Sequence, residues 1–213
     1  MHFFHSSIQK LQTQTEARLK EHTSPSLDFF ILIGLSSAIV SLGLLLDNTS
    51  VIIGGMVVAP LLTPIFGLSL RIILFRPLGM MSSLISIFLG SLCAIVLAMF
   101  VGYLVLLIEG KDLLLTSEIL SRAAPNLLFF LVAFFSGLAG AYAYVKPEVL
   151  SSVTGIAISV ALVPPLAVTG LGIAMNELSI STESFILFLL NFVGICLGSI
   201  FMFLILGFGT KTT

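Results

Sequence analysis

Charged side chains are scarce in this sequence. Aspartate, glutamate, lysine and arginine make up 9% of its 213 residues, whereas a soluble globular chain has about 25%. Hydrophobic residues make up 58% and the mean hydropathy is +1.20, so the charged groups could not cover a water-exposed surface. This composition excludes a soluble domain, a disordered chain and a coiled coil, and it predicts a helical protein embedded in the lipid bilayer. The net charge of −1 offers no basic surface for nucleic acid.

Cysteine is also rare, and the common catalytic motifs are missing. The two cysteines, Cys93 and Cys196, fall inside long apolar runs, where they indicate neither a disulfide framework nor a metal site. Three histidines, His2, His5 and His22, lie near the N-terminus without the cysteine or carboxylate spacing of a metal site. The sequence has no Walker A, GxSxG, HExxH or dinucleotide-binding motif. We therefore expect no enzyme activity, no cofactor and no metal.

Six continuous apolar runs have the length of membrane-spanning helices, each of which needs about 20 residues. They cover residues 27–46, 51–70, 79–108, 126–145, 152–175 and 184–208. Their continuity, without alternation, favours helices over a β-barrel. The predicted fold is an all-α membrane protein with a tail or interfacial helix at residues 1–26, one membrane domain at 27–208, and a tail at 209–213.

Basic residues sort to one side of these six spans. With the N-terminus inside, seven of the nine lysines and arginines face the cytoplasm: Lys10, Arg18, Lys20, Arg71, Arg76, Lys146 and Lys211. Lys111 and Arg122 fall outside, together with several acidic residues. Because cytoplasmic loops are enriched in lysine and arginine, this distribution predicts a multi-pass protein with both termini in the cytoplasm.

The segment between the third and fourth spans, residues 109–125, is predicted to lie on the outer surface. Residues 112–122 have the pattern of an amphipathic helix, for which Asp112 can serve as the N-cap. Glu118 and Arg122 are four residues apart and can form an ion pair along that helix. Pro125 then separates the helix from the fourth span.

The two halves of the membrane domain, residues 27–108 and 126–208, show weak internal similarity. A shift of 104 residues places Phe88-Leu89-Gly90 on Phe192-Val193-Gly194 and Pro60 on Pro164. A shift of 100 residues places Phe29-Phe30 on Phe129-Phe130. Halves of three spans have opposite orientations, because three is odd. The pattern predicts a 3+3 inverted repeat, an arrangement that many transporters share.

Prolines break the middle span of each half, with Pro60 and Pro64 in the second span and Pro164 and Pro165 in the fifth. Proline removes a backbone donor and clashes with the preceding turn, and the freed carbonyl groups need protein or water partners at membrane depth. Paired breaks near the bilayer midplane point to a solute site. The alternative is a pair of proline kinks whose polar groups are satisfied by neighbouring helices.

The candidate solute-binding residues come from these breaks and from nearby polar positions. They are Asn48, Thr49, Gly55, Pro60, Thr63, Pro64, Ser159, Pro164, Pro165, Thr169 and Asn191. Asn191 can instead form an interhelical hydrogen bond, and Asn48 or Thr49 can simply cap the second span. The spans have no ionisable residue near their centres, which disfavours a proton pump and favours a neutral or small anionic solute.

Small residues recur every four positions along the third span, at Ser82, Ser86, Gly90, Ala94, Ala98 and Gly102. Similar rows occur in the fourth span, at Ala133, Gly137 and Ala141, and in the sixth, at Gly194 and Gly198. Such small-residue rows let helices approach closely in a membrane. They predict either a crossing of the third and sixth spans or the interface of a homo-oligomer.

The second and fifth spans also carry a family resemblance. Residues 48–56, Asn-Thr-Ser-Val-Ile-Ile-Gly-Gly-Met, and residues 59–65, Ala-Pro-Leu-Leu-Thr-Pro-Ile, resemble a signature of the prokaryotic membrane family known as domain of unknown function 389 (DUF389). Residues 155–166, GIAISVALVPPL, followed by Gly170, are similar to the second signature of that family. The resemblance covers residues 27–175 and implies a protein of the prokaryotic inner membrane, but no particular substrate.

Two kinds of function fit these observations. The first is a transporter or channel for a small neutral or anionic solute, which the two broken helices would bind near the midplane. The second is a non-transporting scaffold or regulatory protein that oligomerises through the small-residue rows or docks a partner through its N-terminal tail. A site between the second and fifth spans would favour transport, whereas a large partner interface would favour the scaffold.

Overall fold

The computed structural model describes residues 26–110, 115–146 and 162–209, together with residues 13 and 15. In these ranges the regular elements are all α-helices. They are α1 (Leu27–Leu45), α2 (Thr49–Val58), α3 (Leu62–Ile73), α4 (Pro77–Glu109), α5 (Ser117–Ser121), α6 (Leu127–Val145), α7 (Val163–Ala174) and α8 (Leu178–Ile205). Most of the N-terminal tail, Asp112, the start of the fifth span with Ser159, and the C-terminal residues 210–213 lie outside the described residues.

Four of these helices, α1, α4, α6 and α8, are long and apolar enough to cross a membrane. Helices α2 and α3 together make a fifth span that is bent by 53°. Helix α7 has 12 residues, and its length of about 18 Å covers only part of a bilayer. The structure therefore agrees with the predicted all-α membrane protein, while the count of six spans stays a prediction.

The helix starts follow from local sequence. Ser26, Asn48, Thr116 and Asn126 precede α1, α2, α5 and α6, and each side chain accepts a hydrogen bond from a backbone N–H of the first turn. Pro77 is the first residue of α4, a position where the missing N–H has no partner to lose.

The sixth span begins earlier than hydropathy predicts, at residue 178 and not near residue 184. Asn176 adopts a φ of 61°, and the Glu177 N–H donates to the Gly172 carbonyl at 2.8 Å, so a tight turn replaces the expected outer loop. Ser181 and Ser184, which lower the local hydropathy, are buried and donate to carbonyl oxygens of α7. The polar residues thus face a neighbouring helix and not solvent.

The two short helices α3 and α7 lie between the two longest ones. Helix α3 packs on both α4 and α8, and helix α7 also packs on both. Helix α1 packs beside α4 and against α2, and α6 packs beside α8. Every residue of α7 except Ile173 is buried. The short helices therefore occupy the interior of the membrane domain.

Contacts between α1 and α4 have counterparts between α6 and α8. A Cβ atom on Gly90 would lie 2.8 Å from Ile33 Cδ1, and one on Gly194 would lie 2.9 Å from Ala133 Cβ. The shifts of 104 and 100 residues place Gly90 on Gly194 and Ile33 on Ala133, so equivalent positions meet in both halves. These contacts agree with the 3+3 repeat, which stays a prediction.

The small-residue rows are used for packing within the chain. In α4 the row faces α1 at Ala94, whose carbonyl accepts a hydrogen bond of 2.6 Å from Ser37 Oγ. It faces α7 at Gly102, where a Cβ would lie 2.8 Å from Ala174 Cβ. The rows of α6 and α8 pack on each other. The row of the third span does not cross the sixth span, because it packs against α1 and α7. A homo-oligomer stays a prediction, and this row is not available as its interface.

Candidate solute site

The second span breaks at Ala59, Pro60 and Leu61, between α2 and α3. Helix α2 ends at Val58, and Ala59 has an extended backbone with a ψ of 125°. Pro60 has no N–H to donate to the preceding turn. Helix α3 follows directly, and no side chain caps its N-terminus. The break therefore removes backbone partners that a continuous helix would supply.

The first span satisfies part of this break. Ser36 Oγ donates a hydrogen bond of 2.7 Å to the carbonyl oxygen of Gly55, in the last turn of α2. Gly55 is buried, and a Cβ there would lie 2.7 Å from Val40 Cγ2 and 3.1 Å from Val40 N. Gly55 thus allows α1 and α2 to pack closely, and its predicted role in solute binding stays a prediction.

The N-terminus of α7, like that of α3, lacks a side-chain cap. Pro164 and Pro165 lie in its first turn and are buried. The carbonyl oxygen of Pro165 accepts hydrogen bonds from Thr169 Oγ1 at 2.8 Å and from Ser184 Oγ at 3.1 Å. The structure thus brings Pro164, Pro165 and Thr169 together, with the Thr169 hydroxyl engaged by its own helix.

The remaining candidate residues of the broken spans lie near these helix starts. Thr63 is half-buried and Pro64 is buried in the first turn of α3. Asn191 of α8 is buried and takes part in a further interaction within the chain. We call α3 and α7 the half-helices, because each begins inside the membrane domain.

Sequence reasoning missed Ser91, in the middle of α4. Ser91 Oγ and Ser41 Oγ, the latter on α1, are buried hydroxyls without a hydrogen-bond partner among the described residues. A buried donor that makes no hydrogen bond costs free energy. The available signal was a serine at the centre of a 33-residue apolar helix, one position away from the small-residue row.

Neutral polar groups provide the chemistry at the half-helices. The buried polar side chains in the described ranges are serines, threonines and one asparagine. Within those ranges no group of three or more His, Cys, Asp or Glu residues could hold a metal ion. The N-terminus of a helix carries a partial positive charge from the aligned peptide dipoles. Such an arrangement can bind a small solute through hydrogen bonds and stabilise negative charge.

Asn48 and Thr49 lie apart from both breaks, at the N-terminal end of α2. Val58 is ten positions after Asn48, which corresponds to about 15 Å of helix. Asn48 Oδ1 accepts a hydrogen bond of 3.2 Å from the Val51 N–H, which confirms the capping alternative. Thr49 Oγ1 donates to Glu118 Oε1. The structure therefore does not bring these two residues together with the residues of the broken helices.

Residues 115–123 form a strap that contains α5. The helix of the strap, Ser117–Ser121, is shorter than the predicted 112–122, and Thr116 is its N-cap. The predicted ion pair between Glu118 and Arg122 is confirmed. At the other end of the strap, the Arg122 carbonyl accepts a hydrogen bond of 2.9 Å from Ser184 Oγ of α8.

The strap is also attached to the turn between α1 and α2. The Asp47 carboxylate accepts hydrogen bonds of 2.9 Å from the Glu118 N–H and from Ser117 Oγ. Thr116 Oγ1 donates to the Leu44 carbonyl at 2.7 Å. The backbone N–H of Glu118 and then the Ser117 hydroxyl stabilise the charged carboxylate, so the pKa of Asp47 lies below its usual value. The strap thus connects the first half of the chain with the second.

Comparison with known proteins supports the family resemblance. The model of the protein family described as Domain of unknown function (DUF389) matches residues 56–197, two thirds of the chain. The uncharacterized protein MJ0678 of Methanocaldococcus jannaschii is 30% identical over 174 residues, which are 81% of this chain and 52% of the relative. The chain thus spans about half the length of that relative. No solved structure matches the chain.

Proposed function

We propose a function for this chain, which belongs to the protein family described as Domain of unknown function (DUF389). The protein is a transporter or channel that moves a small neutral or anionic solute past the N-termini of the half-helices. One observation carries this proposal: α3 and α7 both begin without a side-chain cap inside the membrane domain, and both pack between α4 and α8. Interrupted helices of this kind form the solute sites of many transporters.

A 3+3 inverted repeat is part of the proposal. Both half-helices have 12 residues, and both end in the same kind of turn. In these turns the Arg76 N–H donates to the Arg71 carbonyl, and the Glu177 N–H donates to the Gly172 carbonyl. The helix bounds imply a shift of 101 residues, which places Pro64 opposite Pro165. This shift differs from the shift of 104 by three residues, close to one helical turn.

We further propose that both termini lie in the cytoplasm of a prokaryotic cell, with the membrane domain in the inner membrane. The relative in Methanocaldococcus jannaschii supports the prokaryotic origin. Arg71 and Arg76 flank the turn between α3 and α4, and Lys146 follows the end of α6. In the proposed topology these three basic residues all lie on the cytoplasmic side, as the positive-inside rule expects.

Transport is favoured over the scaffold function because the small-residue rows are covered within the chain. The row of α4 packs on α1 and α7, and the rows of α6 and α8 pack on each other. The oligomerising form of the scaffold hypothesis depended on these rows as a free surface. Buried helix starts have no evident use in a scaffold, whereas they are the binding elements of a transporter.

The test is a solute-flux screen in vesicles reconstituted with the full chain. Wild type is compared with the double variant Pro60→Ala and Pro164→Ala, and with Pro77→Ala as a control at an ordinary helix start. We expect wild type and Pro77→Ala to conduct the same solute, and the double variant to conduct it about tenfold more slowly, about 1.4 kcal/mol in the barrier. Wild-type vesicles that conduct no solute under any gradient or potential would contradict the proposal.

A further inference from the structure

Ser91 is the starting point, because its hydroxyl group is buried and unused. The residue is 7% exposed, and its Oγ has no hydrogen-bond partner among the described residues. A serine in a helix commonly donates to the carbonyl four residues earlier. Ser86 of the same helix does so, with a bond of 3.0 Å to the Ser82 carbonyl. Ser91 therefore retains a donor that a ligand could use.

The packing of α4 on α7 places Ser91 level with the first residue of α7. A Cβ on Gly170 would lie 2.7 Å from Ala98 Cβ, and one on Gly102 would lie 2.8 Å from Ala174 Cβ. The pairs 98 with 170 and 102 with 174 share an offset of 72 residues, so the two helices run in the same direction. The same offset pairs Ser91 with Val163, at the start of α7.

Ser91 also lies on the face of α4 that packs on α7. Residues 91, 95, 98 and 102 follow the spacing of one helix face. The carbonyl of Ile95 and the side chain of Ala98 are both next to Gly170 of α7. Because the face that contacts α7 continues through residue 91, the register places the Ser91 side chain on the side of α4 that faces the start of α7.

The start of α3 lies beside α4 at the same height along its axis as Ser91. Leu61, the residue before α3, has its Cδ2 atom 3.2 Å from the position of a Cβ on Gly90. Gly90 is the neighbour of Ser91 in the chain. The unused hydroxyl therefore lies level with the N-termini of both half-helices.

We propose that Ser91 and the N-termini of α3 and α7 bind one small monovalent anion. This inference rests on the proposed function, because it names the solute class of the same site. Each helix N-terminus carries about half a positive charge, so two of them together match one negative charge. Leu62, Thr63 and Val163 retain N–H groups, whereas the nearby prolines have none. The described residues bury no lysine or arginine that could balance a second negative charge.

Anion binding is measured by thermal unfolding of the purified full chain in detergent. The buffer anion is gluconate, a six-carbon anion much larger than chloride or formate, and sodium chloride, sodium formate or sodium sulfate is added at matched ionic strength. For wild type we expect chloride or formate to raise the unfolding temperature with saturation, and sulfate to have no such effect. Ser91→Ala should lose the saturable rise, or need at least tenfold more anion for it.

Two variants serve as controls. Ser41→Ala removes the other unpartnered buried hydroxyl. Because Ser37 pairs with Ala94, Ser41 should lie one turn further along, near Ala98. Ala98 is seven residues after Ser91, which corresponds to about 10 Å along α4. Ser86→Ala removes a hydroxyl that is bonded within α4. Both variants should keep the wild-type response. In gluconate alone, Ser91→Ala should unfold at the wild-type temperature or above it, because it loses an unpaired donor.

Three results would overturn the inference: no saturable response of wild type to either monovalent anion, an equal response to sulfate, or an unchanged response in Ser91→Ala. Flux measurements separate this failure from failure of the proposed function. Solute flux without anion binding would remove the anion site and retain transport. Anion binding without any flux would retain the site and remove transport.

Discussion

The hydroxyl group of Ser36 donates a hydrogen bond of 2.7 Å to the carbonyl oxygen of Gly55, and this bond connects α1 to the last turn before the break. Carbonyl groups at the end of a helix have no following turn to bond. Ser36→Ala should therefore leave this acceptor unpaired and lower the free energy of unfolding by about 1–2 kcal/mol. The measurement is reversible unfolding in mixed detergent micelles.

Ser37→Ala is the matched control for that prediction. Ser37 Oγ donates to the Ala94 carbonyl at 2.6 Å, but Ala94 lies inside α4, where a helical N–H also bonds its carbonyl. The expected loss is about 0.6 kcal/mol. Equal losses in the two variants would show that the end of α2 does not depend on Ser36.

Gly198→Ala should push α8 away from α6. A Cβ on Gly198 would overlap the Phe134 carbonyl oxygen and lie 3.0 Å from Leu138 N, and backbone atoms cannot move aside as flexible side chains do. We expect a loss of about 1–3 kcal/mol in the free energy of unfolding. Gly54→Ala is the control, because nothing lies within 4 Å of its Cβ position. If Gly198→Ala unfolds with the wild-type free energy, the close packing of α6 on α8 is wrong.

The strap should loosen in acid. The folded-state pKa of Asp47 lies below the usual 3.8, so its contribution is complete above that pH and is lost as the pH falls through the lowered value. Hydrogen exchange of the Glu118 amide, which donates to Asp47, measures this release. The protection factor should be constant at neutral pH and should fall only below about pH 4.

Asp47→Asn separates the charge from the backbone geometry. Asp47 has a φ of 51°, a conformation that asparagine also tolerates. The variant should have lower protection of the Glu118 amide at neutral pH and should lose the acid-dependent step. An acid-dependent step that persists in Asp47→Asn would assign the release to a group other than Asp47.

Local sequence signals predicted the spans and the breaks. The apolar runs marked α1, α4 and α6 closely, because a bilayer requires a continuous apolar surface of fixed length. The prolines marked the break at Pro60 and the start of α7, because a missing N–H acts on the residue's own helix. The ion pair of Glu118 and Arg122 was predictable for the same local reason.

Contacts between distant segments were not predictable from these patterns. The strap attachment of Asp47 joins residues 70 and 71 positions apart. The early start of α8 depends on Ser181 and Ser184, which face α7. Hydropathy alone predicts an exposed loop for this polar segment. Ser91 gained significance only from the offset between α4 and α7, because a serine in an apolar helix is most often bonded within that helix.

Thiol accessibility in native vesicles tests most directly whether water and solutes reach the half-helices. Thr63 and Ser91 are changed singly to cysteine in a Cys93→Ala and Cys196→Ala background. Phe88→Cys is the control, because Phe88 lies on the exposed side of α4, which would face lipid in the proposed membrane domain. We predict that a charged, membrane-impermeant thiol reagent modifies the cysteines at 63 and 91, and that chloride slows the modification at 91. Cysteines that are as unreactive as the control in vesicles, yet react fully after denaturation, would contradict a solute site at the half-helices.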